Sequence, residues 1–557
     1  MRTRRPLALL AAATAAVLAL TACGGGGGGG STDEGQVGSN DINLVPVDQL
    51  PDGGDFRWPL NSLPPNFNYN HLDGPDSDNR DILGGLLPWP LLAEADGTVE
   101  LDPAYLESAE LTSENPQVVT YRVNPEATWS DGVPITWEDF RFQWQALNGS
   151  NPAFFVATST GYEDIGSVER GVDDKEVVVT FATTFSDWQS LFSPLYPRAT
   201  NSNPEMFNTG WLETLPVTAG PFKLDNIDRT ANTITLVRDE NWWGAPPKLD
   251  RIIYRAIPTD AQIDALANNE VDFIDVGPDL NAFTRAQTLQ GVTLRTALAP
   301  DYRHITFNGA PDSILADPQL RIAIQKGIDR QIIGTALISQ LRPDVRPLSN
   351  HIYVEGLKGF QDNDEIVSYD PAEAGRMLDE LGWTRQGDGI RTKDGQQLVI
   401  RDIIPTSVAT SDQESRIVQQ QLRAIGVQVN IETVPLDNFF DQFVNVGDFD
   451  ITHFSWLGTP FPASSSSSIY GLTEDVQQNF GRIGNDRINE LYAQASAELD
   501  PQRKIELANE ADREIWAAGH SLLLYQRPNI IATRSKVANF GAKGFAEVKY
   551  REIGFTN

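Results

Sequence analysis

Five histidines (His71, His304, His351, His453 and His520) and one cysteine, Cys23, are the side chains best suited to metal or nucleophilic chemistry. No two histidines stand three or four residues apart, the spacing that puts two ligands on one helix face, and no cysteine stands near them. No Gly-x-Ser-x-Gly elbow, P-loop or strand-to-helix dinucleotide fingerprint is present. Close carboxylate pairs such as Asp448 and Asp450 occur, but 76 acidic residues make such pairs commonplace. They read as solvated faces or helix caps. The pattern points away from catalysis, metal and cofactor, and towards noncovalent binding. Residues 448–471, "DFDITHFSWLGTPFPASSSSSIYG", are the best candidate for that. Trp456 and Phe461 offer flat apolar faces, and Gly458 permits close backbone approach. On composition alone the same aromatics serve core packing.

Cys23 has a different role. Arg2, Arg4 and Arg5 precede an apolar run at residues 7–20, broken only by Thr14. That run is too short to span a hydrocarbon core, which takes about 20 residues, and it fits a signal peptide. It ends in Leu20-Thr21-Ala22-Cys23, which resembles a bacterial lipobox, followed by seven glycines. The expectation is a signal peptide over residues 1–22, lipidation of Cys23, and a flexible tether over residues 23–51. The cysteine is then an anchor on the extracytoplasmic face of the membrane. Removal of the leader takes the formal net charge from −33 to about −36, so nucleic acid and anionic headgroups should be repelled.

Helices and strands alternate from about Phe56. Thr136-Trp137-Glu138-Asp139 is a capping box before the apolar Phe140 and Trp144. Asp317-Pro318, Asp370-Pro371 and Asp500-Pro501 each place an N-cap acid before proline. Ser411-Asp412-Gln413-Glu414 reads as the start of a helix that Gly426 ends. Val427, Val429 and Ile431 then alternate as a strand, and "LLLYQ" and "VKY" add strands near the C-terminus. The pattern predicts an α/β protein of two or more lobes.

Residues 127–147, "ATWSDGVPITWEDFRFQWQAL", resemble the most recognisable segment of the family 5 extracellular solute-binding proteins, the oligopeptide- and dipeptide-binding components of ABC importers. Trp129, Ser130, Asp131, Gly132, Pro134, Thr136 and Asp139 fall in register. "TAGPFKL" at 218–224, residues 236–273 (with Asn269 replacing a glycine), residues 303–330, "YDPAEAGRMLDELGW" at 369–383 and "IVQQQLRAIGVQVNI" at 417–431 follow in the family's order. The resemblance implies the large, three-domain form of the two-lobe periplasmic-binding-protein-like fold (type II), with a hinge. Domain I would comprise residues 52–90, 205–297 and 525–557, domain II residues 91–204 and domain III residues 298–524. It also implies that Trp456 lies against the ligand. Peptide binders of the family carry, three residues later, an aspartate for the peptide's ammonium. Here that position is Thr459. Gly458, Thr459, Phe461, Trp89 and Asn308 complete the ligand-binding set this resemblance suggests.

Two functions follow from the resemblance. The first is a monomeric, lipid-anchored receptor that delivers peptides or peptide-like solutes to an ABC permease and its ATPase. The second is an envelope lipoprotein of the same fold that binds a glycolipid or glycan and regulates envelope assembly. The missing aspartate keeps the second open.

Overall fold

The computed structural model describes residues 40–557 except residue 475. The signal peptide, Cys23 and the glycine run lie outside the described residues. Residues 40–45 are pinned to the body. Asp41 bridges Ala542, its carboxylate pairs with Arg295 at 2.8 Å, and Asn43 Nδ2 donates to the Val537 carbonyl at 2.7 Å. The stretch of chain free to act as a tether is therefore shorter than 23–51.

The expected α/β alternation is present, and the caps explain where helices begin. Asp139 Oδ2 accepts the Thr136 N–H at 2.8 Å ahead of helix Trp137–Leu147. Asp317, Asp370 and Asp500 accept the N–H groups of Gln319, Glu373 and Arg503, opening helices Pro318–Lys326, Pro371–Glu380 and Pro501–Ala517. Two readings need correction. The helix assigned to start at Ser411 runs Ala409–Ala424, and Ser411 and Glu414 turn inward to Arg303. Residues 548–550 form no strand. That segment is held by a side chain, the Tyr550 hydroxyl donating to the Asp81 carbonyl at 2.6 Å.

Two large hydrophobic cores divide the chain. One gathers side chains from Phe56 to Tyr254 with Phe273 and a set from Ile531 to Ile553, around two four-stranded sheets. The other gathers side chains from Tyr302 to Tyr525, with Phe545. A six-stranded sheet links them, in the order Phe273–Asp275, Ser521–Arg534, Val292–Phe307, Ile451–Leu457, Val399–Pro405, Gln428–Val434. Its last two strands are parallel and joined through helix Ala409–Ala424. Strands Val292–Phe307 and Ser521–Arg534 are long enough to run from one core into the other. Their pairing is interrupted between Leu298 and Tyr302. Residues 299–301 are the point where the connection can bend.

The two halves also touch away from these strands. Ser186 N–H donates to the Ser496 carbonyl at 2.8 Å, its Oγ to the Ala495 carbonyl at 3.1 Å, and Asp187 pairs with Lys504. The Lys358 N–H donates to the Asp96 carbonyl at 3.1 Å.

Candidate functional site

The strand Ile451–Leu457 brings Trp456 opposite Tyr302. Its half-buried indole lies parallel to His304 (5.8 Å, 11°) and to Phe480 (5.9 Å, 12°), with Phe454 edge-on at 5.2 Å. The ring is thus fixed by packing, with part of it open to solvent. Gly458 follows, and its N–H donates to the Pro300 carbonyl at 2.9 Å. A Cβ there would sit 2.9 Å from that same oxygen and 3.6 Å from Phe545. Glycine is required here by the close approach of the bend residues, whatever else the backbone meets. Thr459 donates to Ser465 Oγ at 2.9 Å and accepts from the Phe461 N–H at 3.2 Å. Its hydroxyl organises its own loop. Phe461 is half-buried beside it.

The remaining candidates lie elsewhere. Asn308 is buried; its Nδ2 donates to the carbonyls of Gly447 and Phe449, both at 2.9 Å, and its Oδ1 accepts from Ala310 N–H. Every polar atom of that side chain is engaged in holding a loop. Trp89 is 7% exposed, lies under the Arg80 guanidinium at 3.2 Å, and leaves its Nε1–H without an acceptor. The chain that follows Trp89 reaches the Trp456 loop region. A Cβ on Gly97 would stand 2.5 Å from Leu357 and 4.0 Å from the Pro460 carbonyl.

Behind the Trp456 strand lies a buried charge cluster. Arg303 binds both oxygens of Glu414, at 3.0 and 2.6 Å, and donates to Ser411. Tyr525 donates to Glu414 at 2.9 Å. His453 stands 3.2 Å from Asp402 and 3.3 Å from Glu414, within ion-pair reach but off the line of a hydrogen bond. Burial alone would raise the Glu414 carboxyl and lower the His453 imidazole. Arg303 and His453 overcome that and hold Glu414 down at about 2, while Asp402 and Glu414 lift His453 to about 9. Two cations and two carboxylates balance, so the strands beneath Trp456 are locked without net charge. His304 is the opposite case: burial, reinforced by Arg303, lowers its pKa well below the usual value and leaves the ring neutral. Among the described residues no group of histidines, cysteines and acids is arranged to hold a metal.

The sequence did not mark the charged residues at the bend and around Trp89. Asp301 pairs with Arg527 at 2.7 Å beside the interruption in the long strands. Asp275 is exposed at the end of its strand. Arg80, Asp81 and Lys543 line a cavity together with Trp89. No motif marked them, since an Arg-Asp pair within a helix has the composition of any solvated face.

The description "Bacterial extracellular solute-binding proteins, family 5 Middle" matches residues 100–478. The chain belongs to this family. It is 45% identical over 520 residues to the oligopeptide-binding protein OppA of Mycobacterium tuberculosis, covering 93% of this chain and 87% of that one. It is 29% identical over 359 residues, 60% of this chain, to the probable monoacyl phosphatidylinositol tetramannoside-binding protein LpqW of the same organism. Among solved structures, the periplasmic EDTA-binding protein EppA superposes with a TM-score of 0.84 at 24% identity, over 94% of this chain and all of that one. The oligopeptide-binding protein AppA of Bacillus subtilis, in complex with a nonapeptide, gives 0.72 at 20% identity, over 91% of this chain and all of that one. The family 5 solute-binding fold expected from the residues is therefore the fold of this chain.

Proposed function

We propose that this protein is the lipid-anchored, extracytoplasmic receptor of an ABC importer and that its ligands are peptides. The observation that carries this reading is the 45% identity to an oligopeptide-binding protein across 93% of the chain. The weaker and shorter likeness to a glycolipid-binding relative ranks the envelope-assembly reading second. Two lobes, divided as domains I and II against domain III, close about residues 299–301. The ligand lies between Trp456–Phe461 on one lobe and the wall around Trp89 on the other. Closure is favoured by whatever contacts both walls. Cys23 carries the lipid that keeps the receptor beside its permease.

The test is uptake. Cells lacking this gene should lose import of labelled oligopeptides, and the wild-type gene should restore it. A Cys23→Ser variant should move the protein from the membrane to the soluble fraction. Unchanged peptide import in the deletion strain, together with altered glycolipid composition, would overturn the receptor reading in favour of envelope assembly.

A further inference from the structure

On the lobe that carries Trp89 there is a cavity of about 40 Å³, room for a few waters, between helix Ser77–Leu83 and residues 543–551. Most of the charges around it are matched. Arg80 pairs with Glu547, Arg551 with Asp102 at 2.9 Å, and Lys549 with Glu94 at 2.9 Å. Three polar groups on the lining remain. The Asp81 carboxylate has no hydrogen-bond or ion-pair partner among the described residues, although the Asp81 carbonyl has two. The Lys543 ammonium likewise has none. Trp89, more than nine-tenths buried, has an orphaned indole N–H.

One acceptor and two donors define a complementary ligand. A simple cation would answer Asp81 alone. A phosphate would answer Lys543 and Trp89 and face repulsion from Asp81. An apolar group would leave all three unpaired, each a desolvation penalty. A protonated amine with a carbonyl or carboxylate oxygen three bonds away answers all three. The cavity is also close to the Trp456 loop, because Lys543 lies two residues from Phe545, the ring against Gly458.

We propose that this cavity is the receptor's head-group subsite, where Asp81 takes the free amino terminus of a ligand and Lys543 with Trp89 takes the adjoining oxygen. The assignment rests on the peptide-receptor reading. It supplies the ammonium partner that Thr459 does not, from the opposite wall. Burial raises the Asp81 carboxyl to about 6, as an aspartate waiting for a cation would show. Lys543 and Arg80 pull it down, and Asp78 and Glu547 push it up.

The experiment mixes the full chain in detergent with an equimolar library of di- to hexapeptides and the same library after N-acetylation, and identifies retained species by mass spectrometry. Free-amine peptides should be retained at least tenfold over acetylated ones at pH 7.5. That preference should collapse in Asp81→Asn and persist in the surface control Asp131→Asn. In the wild type, affinity should fall roughly tenfold between pH 7.5 and pH 5, and Asp81→Asn should be flat. Thermal melting checks that both variants are folded. Equal retention of acetylated peptides, or a preference that survives Asp81→Asn, overturns the subsite and leaves the peptide receptor standing. Retention of no peptide at all overturns both.

Discussion

At the scale of single residues, the attraction of Lys543 and Arg80 does not offset the desolvation of the Asp81 carboxylate. Its pKa is raised by burial, so the penalty is absent below the ordinary aspartate value near 3.8 and fully present above about 6. Asp81→Asn should therefore stabilise the unliganded protein at pH 7.5 by roughly 1–3 kcal/mol, and not at pH 3.5, measured by denaturant unfolding. His453 is the reverse case. Its raised pKa contributes stability that is fully present below about 6.5 and is lost as pH rises through about 9. His453→Ala leaves Asp402 buried without a counterion and should cost about 3–5 kcal/mol near neutral pH, seen in the same assay. That Trp456 sits on a strand was legible from its segment; its stacking between His304 and Phe480 was not, because those partners come from distant parts of the chain. Thr459 and Asn308 were legible as polar residues but not as loop-holding ones, because their partners, Ser465 and the carbonyls of Gly447 and Phe449, are set by loop geometry.

At the scale of elements, sequence was most informative where chemistry is local. Asp317, Asp370 and Asp500, each before proline, fix a helix start within three residues, whereas Asp102-Pro103 leads through a turn into strand Leu106–Glu114. Asn269, standing where the resemblance calls for glycine, adopts a φ of 61°, the left-handed region asparagine tolerates better than most residues. The reading of Ser411 as a cap failed because Arg303, more than a hundred residues away, attracts Ser411 and Glu414 into the interior. Residues 548–550 failed as a strand because alternation does not reveal whether a sheet edge is free to receive it. Gly458 joins the Trp456 loop to the bend in the long strands. Gly458→Ala drives a methyl against the Pro300 carbonyl at 2.9 Å. The substitution should cost about 1–3 kcal/mol in thermal unfolding and weaken peptide affinity, since it displaces the segment that closure must move. A variant that melts and binds as the wild type does would show that the approach is not tight.

At the scale of the whole molecule, the two halves meet through pairs that no sequence pattern discloses. Asp187 and Lys504 lie 317 positions apart, and Asp187 is 3% exposed. They meet only because two separately cored halves come together. Lys504→Met leaves that carboxylate buried without its cation where the halves meet, so contact between them should become less favourable. Small-angle scattering of the unliganded protein should then report a larger radius of gyration than the wild type, and peptide affinity should drop roughly tenfold. In the proposed receptor a peptide occupies the space between these halves. Native mass spectrometry of the chain purified under non-denaturing conditions tests it most directly. A one-to-one adduct is expected, which denaturation releases as peptides with free amino termini. A released glycolipid, or a protein that takes up no peptide when oligopeptides are supplied in excess, would contradict it.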